Sequence, residues 1–168
     1  LQTAGVNTLR PVLDIDGDTY KSISISQEAP RVPAGSKELR PHRLAVGLYD
    51  ISGGSLKLRK SVELDVAGAT TVVADLAGEK VADLLLINDR DLSYAKLRFD
   101  DRSIATLKTH LGKFDDALAR SLCWAAIWDM HRDAEISSAD FIEIALNGLA
   151  GESDDAIVNI VLAQLGTS

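Results

Sequence analysis

The hydrophobic pattern of this 168-residue chain changes its period near Asp100. Before that residue, short runs alternate apolar and polar side chains, as in YKSISIS, where Ile23 and Ile25 fall on one face and serines on the other. After it, apolar residues recur every three or four positions, which is the spacing of an amphipathic helix. The pattern therefore predicts an α+β protein in two parts, an antiparallel β-sandwich followed by an α-helical region.

The first part contains several short runs with the length and composition of strands. Turn signals separate them, at Asp16-Gly17, at Ser52-Gly53-Gly54 and at Ala67-Gly68. No helix-length pattern interrupts these runs, which favours an antiparallel sandwich over a parallel α/β sheet. The predicted strands are residues 8–15, 20–27, 42–49, 56–66, 84–87 and 94–99, and the proline-containing residues 28–41 are a predicted loop.

The second part is predicted to contain four helices. The first covers residues 101–111, and the second covers residues 115–133 and is apolar on nearly all sides, so neighbours should cover it. Ser137 resembles the start of a capping box for the third helix, and Ser153 is expected to begin the fourth. The predicted apolar stripes are Phe141, Ile142, Ala145 and Leu149 in the third helix, and Ile157, Ile160, Val161 and Leu165 in the fourth. Such helix pairs with short loops resemble the units of an α-solenoid.

Charge and cysteine content indicate which kinds of partner and which cellular compartment to expect. The chain has 18 Lys and Arg against 25 Asp and Glu, a formal net charge of -7, so attraction to phosphate backbones or anionic lipid is not expected. We predict no nucleic-acid and no membrane partner. The one cysteine, Cys123, lies in an apolar run and fits a buried thiol in a reducing compartment. Neither a long apolar segment nor a signal pattern is present, which predicts a cytoplasmic location.

Two acidic stretches are candidate calcium loops, and both lack the glycine that such a loop requires. In DIDGDTY, Gly17 stands between the second and third acids, so a hairpin turn is the better interpretation. The second stretch has Tyr94 at the glycine position. We interpret it as a hairpin turn with solvated acids, joining the runs 84–87 and 94–99. The acids and hydroxyl concerned are Asp14, Asp16 and Asp18 in the first stretch, and Asp89, Asp91, Ser93 and Asp100 in the second.

The histidines form no zinc motif. His42, His110 and His131 are scattered, and no HExxH sequence occurs. His110 and His131 lie near the ends of predicted helices, where the helix dipole favours a positive group, so we predict a capping role for both.

Other catalytic patterns are also missing. Trp124 and Trp128 are four residues apart on the apolar helix and are predicted to pack in the core rather than to stack a ligand. There is no GxSxG elbow for a catalytic triad, and Gly53-Gly54 lacks the context of a phosphate-binding loop. Spacing alone therefore predicts no catalytic, cofactor-binding or metal-binding residue.

Segments taken in order along the chain resemble the post-catalytic region of the M1 family of zinc aminopeptidases. They are LQTAGVNTLRP, QEAP, LRPHRLAVGLYD, VELDVAG, LLLINDRDLSYAKLRFDDRS and RSLCWAAIWDMHRDAE. The run YAKLRFD, residues 94–100, stands where the family has a YYRVNYD-like segment, with Ala95 replacing the second tyrosine as in a bacterial branch. The resemblance covers essentially the whole chain.

The resemblance implies that catalysis and metal binding belong to another part of the parent enzyme. The family's HExxH helix with its later glutamate, its GxMEN-like loop and its oxyanion-stabilising tyrosine have no counterpart here, so no catalytic or metal residue is carried over. Residues 1–6 would be the tail of the catalytic domain, residues 7–100 a β-sandwich spacer, and residues 101–168 the truncated start of a helical domain that closes over the zinc site. Zinc would belong to the parent enzyme, which removes amino-terminal residues from peptides. The catalytic domain of that parent chain would be the partner, and Phe99, Asp100 and Asp101 the joint between spacer and lid.

The resemblance and the absence of an initiator methionine predict that the chain is a catalytically silent fragment of a longer protein. A free-standing module that binds a peptide or protein partner is the alternative, since sandwiches host many functions. A hydrolase that uses the acidic turns is a third interpretation, and it lacks a base or nucleophile in a suitable context.

Overall fold

A computed structural model describes residues 5–31 and 37–167. Strands occupy the first part and helices the second, which confirms the predicted fold class. The strands are β1 (Thr8–Asp16), β2 (Thr19–Glu28), β3 (His42–Ser52), β4 (Ser55–Val66), β5 (Thr70–Val72), β6 (Leu84–Ile87) and β7 (Lys96–Leu97). The helices are α1 (Asp101–His110), α2 (Ala117–Arg132), α3 (Ser138–Leu149) and α4 (Asp155–Leu165). Residues 1–4 of the predicted linker and residues 32–36 of the predicted loop lie outside the described residues.

The strands form two sheets, in the orders β5-β2-β1-β7 and β4-β3-β6. The predicted turns at Asp16-Gly17 and Gly53-Gly54 join β1 to β2 and β3 to β4 as antiparallel hairpins. Both turns require positive φ, with Gly17 at 61° and Gly54 at 84°. At one edge β7 runs parallel to β1, while the other strand pairs are antiparallel.

The acidic turn between β6 and β7 does not close a hairpin, so that prediction is wrong. β6 pairs with β3 in one sheet, and β7 pairs with β1 in the other. All four residues of β6 are buried. The chain therefore leaves β6, a buried strand at the edge of its sheet, and crosses to the other sheet before it enters α1.

The helix starts follow the predicted capping chemistry. The Ser137 hydroxyl accepts the Asp140 amide at 3.1 Å and begins α3 as predicted. For α4 the prediction is wrong by one residue, because Asp154 and not Ser153 is the N-cap and accepts the Ala156 amide at 2.8 Å.

One hydrophobic cluster contains buried residues of both sheets and of all four helices. The predicted stripe is confirmed at Phe141, Ala145 and Val161 and wrong at Ile142 and Ile160, which are exposed. The expectation that α2 is covered on all sides is also wrong. Its exposed positions include Leu118 and Ala125.

Candidate functional site at the joint between sheets and helices

The joint predicted at Phe99, Asp100 and Asp101 coincides with the start of α1. Asp100 is the N-cap of α1 and accepts the Ser103 amide at 3.1 Å. The Ser103 hydroxyl donates to the second oxygen of Asp100 at 2.6 Å and accepts the Leu85 amide of β6 at 3.0 Å. The first turn of α1 follows β7 in one sheet and is hydrogen-bonded to β6 in the other.

Arg98 is the most buried charged side chain at the joint, with 1% of its surface exposed. Its Nε donates to Glu135 Oε1 at 2.7 Å, Nη1 donates to the Leu97 carbonyl at 3.0 Å, and Nη2 donates to Asp133. Asp133 and Glu135 lie in the connection between α2 and α3. A buried guanidinium therefore ties the last residues before the helices to a loop of the helical part.

Two more cations complete this cluster. The Lys96 ammonium donates to both oxygens of Asp133, at 2.9 and 2.7 Å, and Arg10 of β1 donates to Glu135 Oε2 at 2.7 Å. We call Arg10, Lys96, Arg98, Asp133 and Glu135 the joint cluster. Burial alone would raise the pKa of Asp133 and Glu135. The surrounding cations have a larger effect, so the pKa of both carboxyl groups is lowered. Both are therefore ionised at neutral pH.

The loop that carries these carboxylates has a defined geometry. Ala134 has φ 59°, a left-handed conformation that ends α2. The Glu135 amide donates to the Met130 carbonyl at 2.8 Å, which satisfies one of the last carbonyls of the helix. Asp133 and Glu135 consequently point to the same side of the loop, toward Arg98.

The interpretation of the acidic turn as solvated is wrong at Asp89. Only 6% of Asp89 is exposed, and its carboxyl accepts the Tyr49 hydroxyl and the Ser61 hydroxyl, the latter at 3.4 Å. It packs directly over Gly47 of β3, where an added Cβ would lie 2.7 Å from Asp89 Cγ. Asp91 of the same turn is exposed, as predicted.

Burial raises the pKa of Asp89, and the nearby Asp116 acts in the same direction, although the Tyr49 and Ser61 hydrogen bonds oppose both. Burial also raises the pKa of Tyr49. A raised acid pKa favours folding below the unfolded value of 3.8, and that contribution is lost as the pH rises through the folded value. Above that range, the fold contains a buried carboxylate that depends on two hydroxyl donors.

Replacing Tyr49 with phenylalanine should therefore destabilise the protein by about 1.5–3 kcal/mol at pH 7, the usual worth of a hydrogen bond to a charged group. The cost should be smaller at pH 4, where more of Asp89 is protonated. Urea unfolding of both proteins at the two pH values measures this. Tyr94→Phe, at a position 86% exposed, is the matched control and should cost little. An equal cost of Tyr49→Phe at the two pH values would contradict the ionised state of Asp89.

A second buried carboxylate, Glu152, organises the helices. Its side chain has no exposed surface, and Arg120 Nε donates to it at 2.9 and 3.1 Å. The Trp124 indole donates at 3.2 Å, and the amides of Ser153 and Asp154 donate at 2.9 and 3.0 Å. Burial would raise the pKa of Glu152, but these donors hold it below its usual value. Glu152 thereby fixes the connection between α3 and α4 against α2.

The predicted acidic and histidine positions do not come together. Asp14, Asp16 and Asp18 flank the β1–β2 turn, whereas Asp89 lies under β3. His110 and His131 lie in the last turns of α1 and α2, as predicted. The His131 ring stacks on Phe141 at 4.9 Å and His110 contacts the Thr109 hydroxyl at 2.8 Å, so their capping role stays a prediction. Within residues 5–31 and 37–167, no three His, Cys, Asp or Glu side chains are grouped so that they could hold a metal ion.

The other candidates occupy the core or its edge. Cys123 is fully buried, and burial raises the pKa of its thiol. Trp124 is buried as predicted, and Trp128 packs against Phe141 at 5.3 Å. The described helices include none that is long and apolar enough to cross a membrane.

The chain is similar to a known aminopeptidase. The chain is 48% identical over 170 residues to the aminopeptidase N of Streptomyces lividans, a match that covers 98% of this chain and 20% of that protein. The chain thus spans about a fifth of the length of that relative. The resemblance to the aminopeptidases is therefore confirmed. Residues 84–168 match the model of the ERAP1-like C-terminal domain, beginning in β6 and including the joint. The chain belongs to the family of ERAP1-like C-terminal domains.

Proposed function

We propose that this chain is a non-catalytic part of a zinc aminopeptidase, in which it forms the spacer and the first helices of a lid over the active-site chamber. The parent enzyme would remove amino-terminal residues from peptides. The observation that carries the proposal is the 48% identity to an aminopeptidase N along nearly the whole chain. Residues 1–6 would end the catalytic domain, residues 7–100 would form the spacer, and residues 101–168 would begin the lid.

The contacts at the joint support the proposed roles of spacer and lid. A lid works only if its position relative to the catalytic domain is defined, and the joint cluster fixes the helices to β1 and β7 through the buried Arg98. The Ser103 hydrogen bonds fix α1 to β6 as well. Because both connections are buried or half-buried, solvent and salt screen them less than surface ion pairs. The helices would therefore follow the spacer as one unit.

Zinc is implied by the parent activity, and the described residues of this chain do not fit it. His42 is a buried strand residue, and His110 and His131 lie at the ends of different helices. Asp133 and Glu135, the two carboxylates of the joint cluster, are already neutralised by Arg98, Lys96 and Arg10. In this proposal, the metal and the residues that activate water belong to the catalytic domain of the parent, and this chain contributes no proton transfer.

The purified chain should neither hydrolyse aminoacyl arylamides nor retain stoichiometric zinc after dialysis, because it lacks the residues for both. Arylamide turnover and metal content by mass spectrometry measure this, with the relative from Streptomyces lividans as the active control. Stoichiometric zinc on the chain would contradict the assignment. Sequencing the reading frame upstream of Leu1 is the complementary test. An HExxH sequence there supports the proposal, and a start codon directly before Leu1 contradicts it.

The second candidate is a free-standing module that binds a peptide or protein. Exposed apolar side chains on the helices favour it, among them Ile160, which is 56% exposed. Partner binding by such a module would persist in the isolated chain, whereas a lid acts only in the parent enzyme.

A further inference from the structure

At one end of the β-sandwich, the apolar interior gives way to a polar side chain on each of the two sheets. In β2, Gln27 continues the buried face formed by Ile23 and Ile25, and 4% of its surface is exposed. Its Nε2 donates to the Gly68 carbonyl at 2.9 Å, in the connection from β4 to β5. Its Oε1 is buried and has no hydrogen-bond partner among the described residues.

On the facing sheet, the polar side chain is His42, the first residue of β3. It shares a buried face with Leu44, whereas the opposite face of β3 includes Gly47 and packs against the crossing that follows β6. His42 pairs with Val66, the last residue of β4, so it lies beside the same β4–β5 connection that Gln27 contacts. Its Nε2 is also buried, and the described part of the chain provides no hydrogen-bond partner for it.

The surroundings of His42 favour a neutral imidazole. Arg40, two residues earlier, acts together with burial to lower the pKa of His42. The other charged residues near this end are exposed or half-buried, on the opposite faces of their strands or in the segment before β3: Arg10, Glu28, Lys37, Glu38, Arg43 and Asp65. A protonated His42 would therefore be a buried cation without a counter-charge from the described residues.

The segment that leads into His42 holds the chain where it enters the sandwich. Asn7 has no exposed surface, and its Nδ2 donates to the Glu38 carbonyl at 2.7 Å. Arg40 Nη1 donates to the Gly5 carbonyl at 2.6 Å and to Asn7 Oδ1 at 3.2 Å. A displacement of His42 would therefore disturb the residues that bind Gly5 and Asn7.

We propose that His42 is an acid-sensitive latch for residues 5–7. The neutral imidazole lies in the interior and keeps residues 37–41 in place against them. Protonation drives the charged ring out of the interior, and both segments loosen. This inference does not depend on the proposed lid role.

The direction of the pH response follows from the lowered pKa of His42, whose ordinary value is 6.5. The contribution of the neutral ring to stability is complete above 6.5 and is lost as the pH falls from there toward the folded value. At pH 5.5, about ten of eleven exposed imidazoles are protonated, so the open form can gain up to about tenfold over the closed form. Asp89 has the opposite sign, and its contribution cancels between proteins that both contain it.

Amide exchange of the 168-residue chain at pH 7.5 and 5.5, corrected for intrinsic rates, tests the latch. The Gln27 amide is bound to the β4–β5 connection beside His42, and the Tyr20 amide lies at the opposite end of β2. Protection of Gln27 should fall by up to about tenfold in acid, and protection of Tyr20 should change less. The fall at Gln27 should disappear in His42→Gln and persist in the control His110→Gln.

A second variant supplies the missing counter-charge. Gln27→Glu places a carboxylate at the same end of the interior as His42 and should abolish the acid response, because an opposite charge favours the protonated imidazole. Circular dichroism confirms that each variant is folded. An acid response of wild-type size in His42→Gln or in Gln27→Glu would overturn the proposal. Titration of the wild-type His42 ring by NMR needs no variant, and a midpoint at or above 6.5 would also overturn it.

Discussion

Replacing Arg98 with methionine is expected to lower the free energy of unfolding by about 3–5 kcal/mol, the cost of removing one partner from a buried ion pair. Methionine fills a similar length but leaves Asp133 with Lys96 alone and Glu135 with Arg10 alone. Both carboxylates would then be half-buried with fewer donors. Urea unfolding at pH 7 measures the loss, and a cost below 1 kcal/mol would show that the pairs do not hold the joint.

The pH dependence of the same variant shows in which pH range the two carboxylates stabilise the fold. The pKa values of Asp133 and Glu135 are lowered in the folded protein, so their contribution is complete above the unfolded values of 3.8 and 4.5 and is lost as the pH falls through the folded values. The difference between wild type and Arg98→Met should therefore shrink in acid. Asp89 has the opposite sign, since its pKa is raised. Wild type and variant both contain Asp89, so its contribution to stability cancels when the two proteins are compared at the same pH.

Two control variants test whether uncompensated charge causes the loss. Arg43 forms exposed ion pairs with Glu63 and Asp65, so Arg43→Met should have only a small effect. The triple variant Arg98→Met, Asp133→Asn, Glu135→Gln removes the charges on both sides and should recover part of the stability. A triple variant less stable than Arg98→Met would contradict this explanation.

The sequence predicts local features of this fold well, because their causes lie within a few residues. Ser137 and Asp140 are three positions apart, and together they begin α3 as expected. Gly17 follows an aspartate between two alternating runs, and it forms the turn of the first hairpin. The change of period at Asp100 coincides with the N-cap of α1. In each case a short segment contains both partners of the interaction.

The residues that hold the joint together could not be predicted in this way. Arg98 alternates with Leu97 and Phe99, so the strand pattern places it toward solvent, yet its partners 35 and 37 residues later bury it. Asp89 follows an apolar strand in a turn-like sequence, and its hydrogen-bond partners Tyr49 and Ser61 lie 40 and 28 residues earlier. A charged residue within a short apolar run is a weak signal of such a pair, because a solvated face gives the same pattern.

Replacing Glu152 with glutamine should also cost about 3–5 kcal/mol, because it leaves the buried Arg120 guanidinium without a counter-charge. The shape of the side chain is preserved, so packing against Trp124 changes little. One amide oxygen can still accept a hydrogen bond, but the new amide group would present donors to Arg120, Ser153 or Asp154, each of which already donates. The loss should therefore be mainly electrostatic and should be measurable by urea unfolding at pH 7.

The matched control is Glu143→Gln, which removes an exposed partner of Lys108 and should cost much less. Because Glu152 fixes α4 against α2, its replacement should first loosen α4, and amide exchange in α4 should become faster than in β3. Uniform acceleration in α4 and β3 would show that Glu152 stabilises the fold as a whole. Selective acceleration would show that α4 is held against α2 mainly by this one carboxylate.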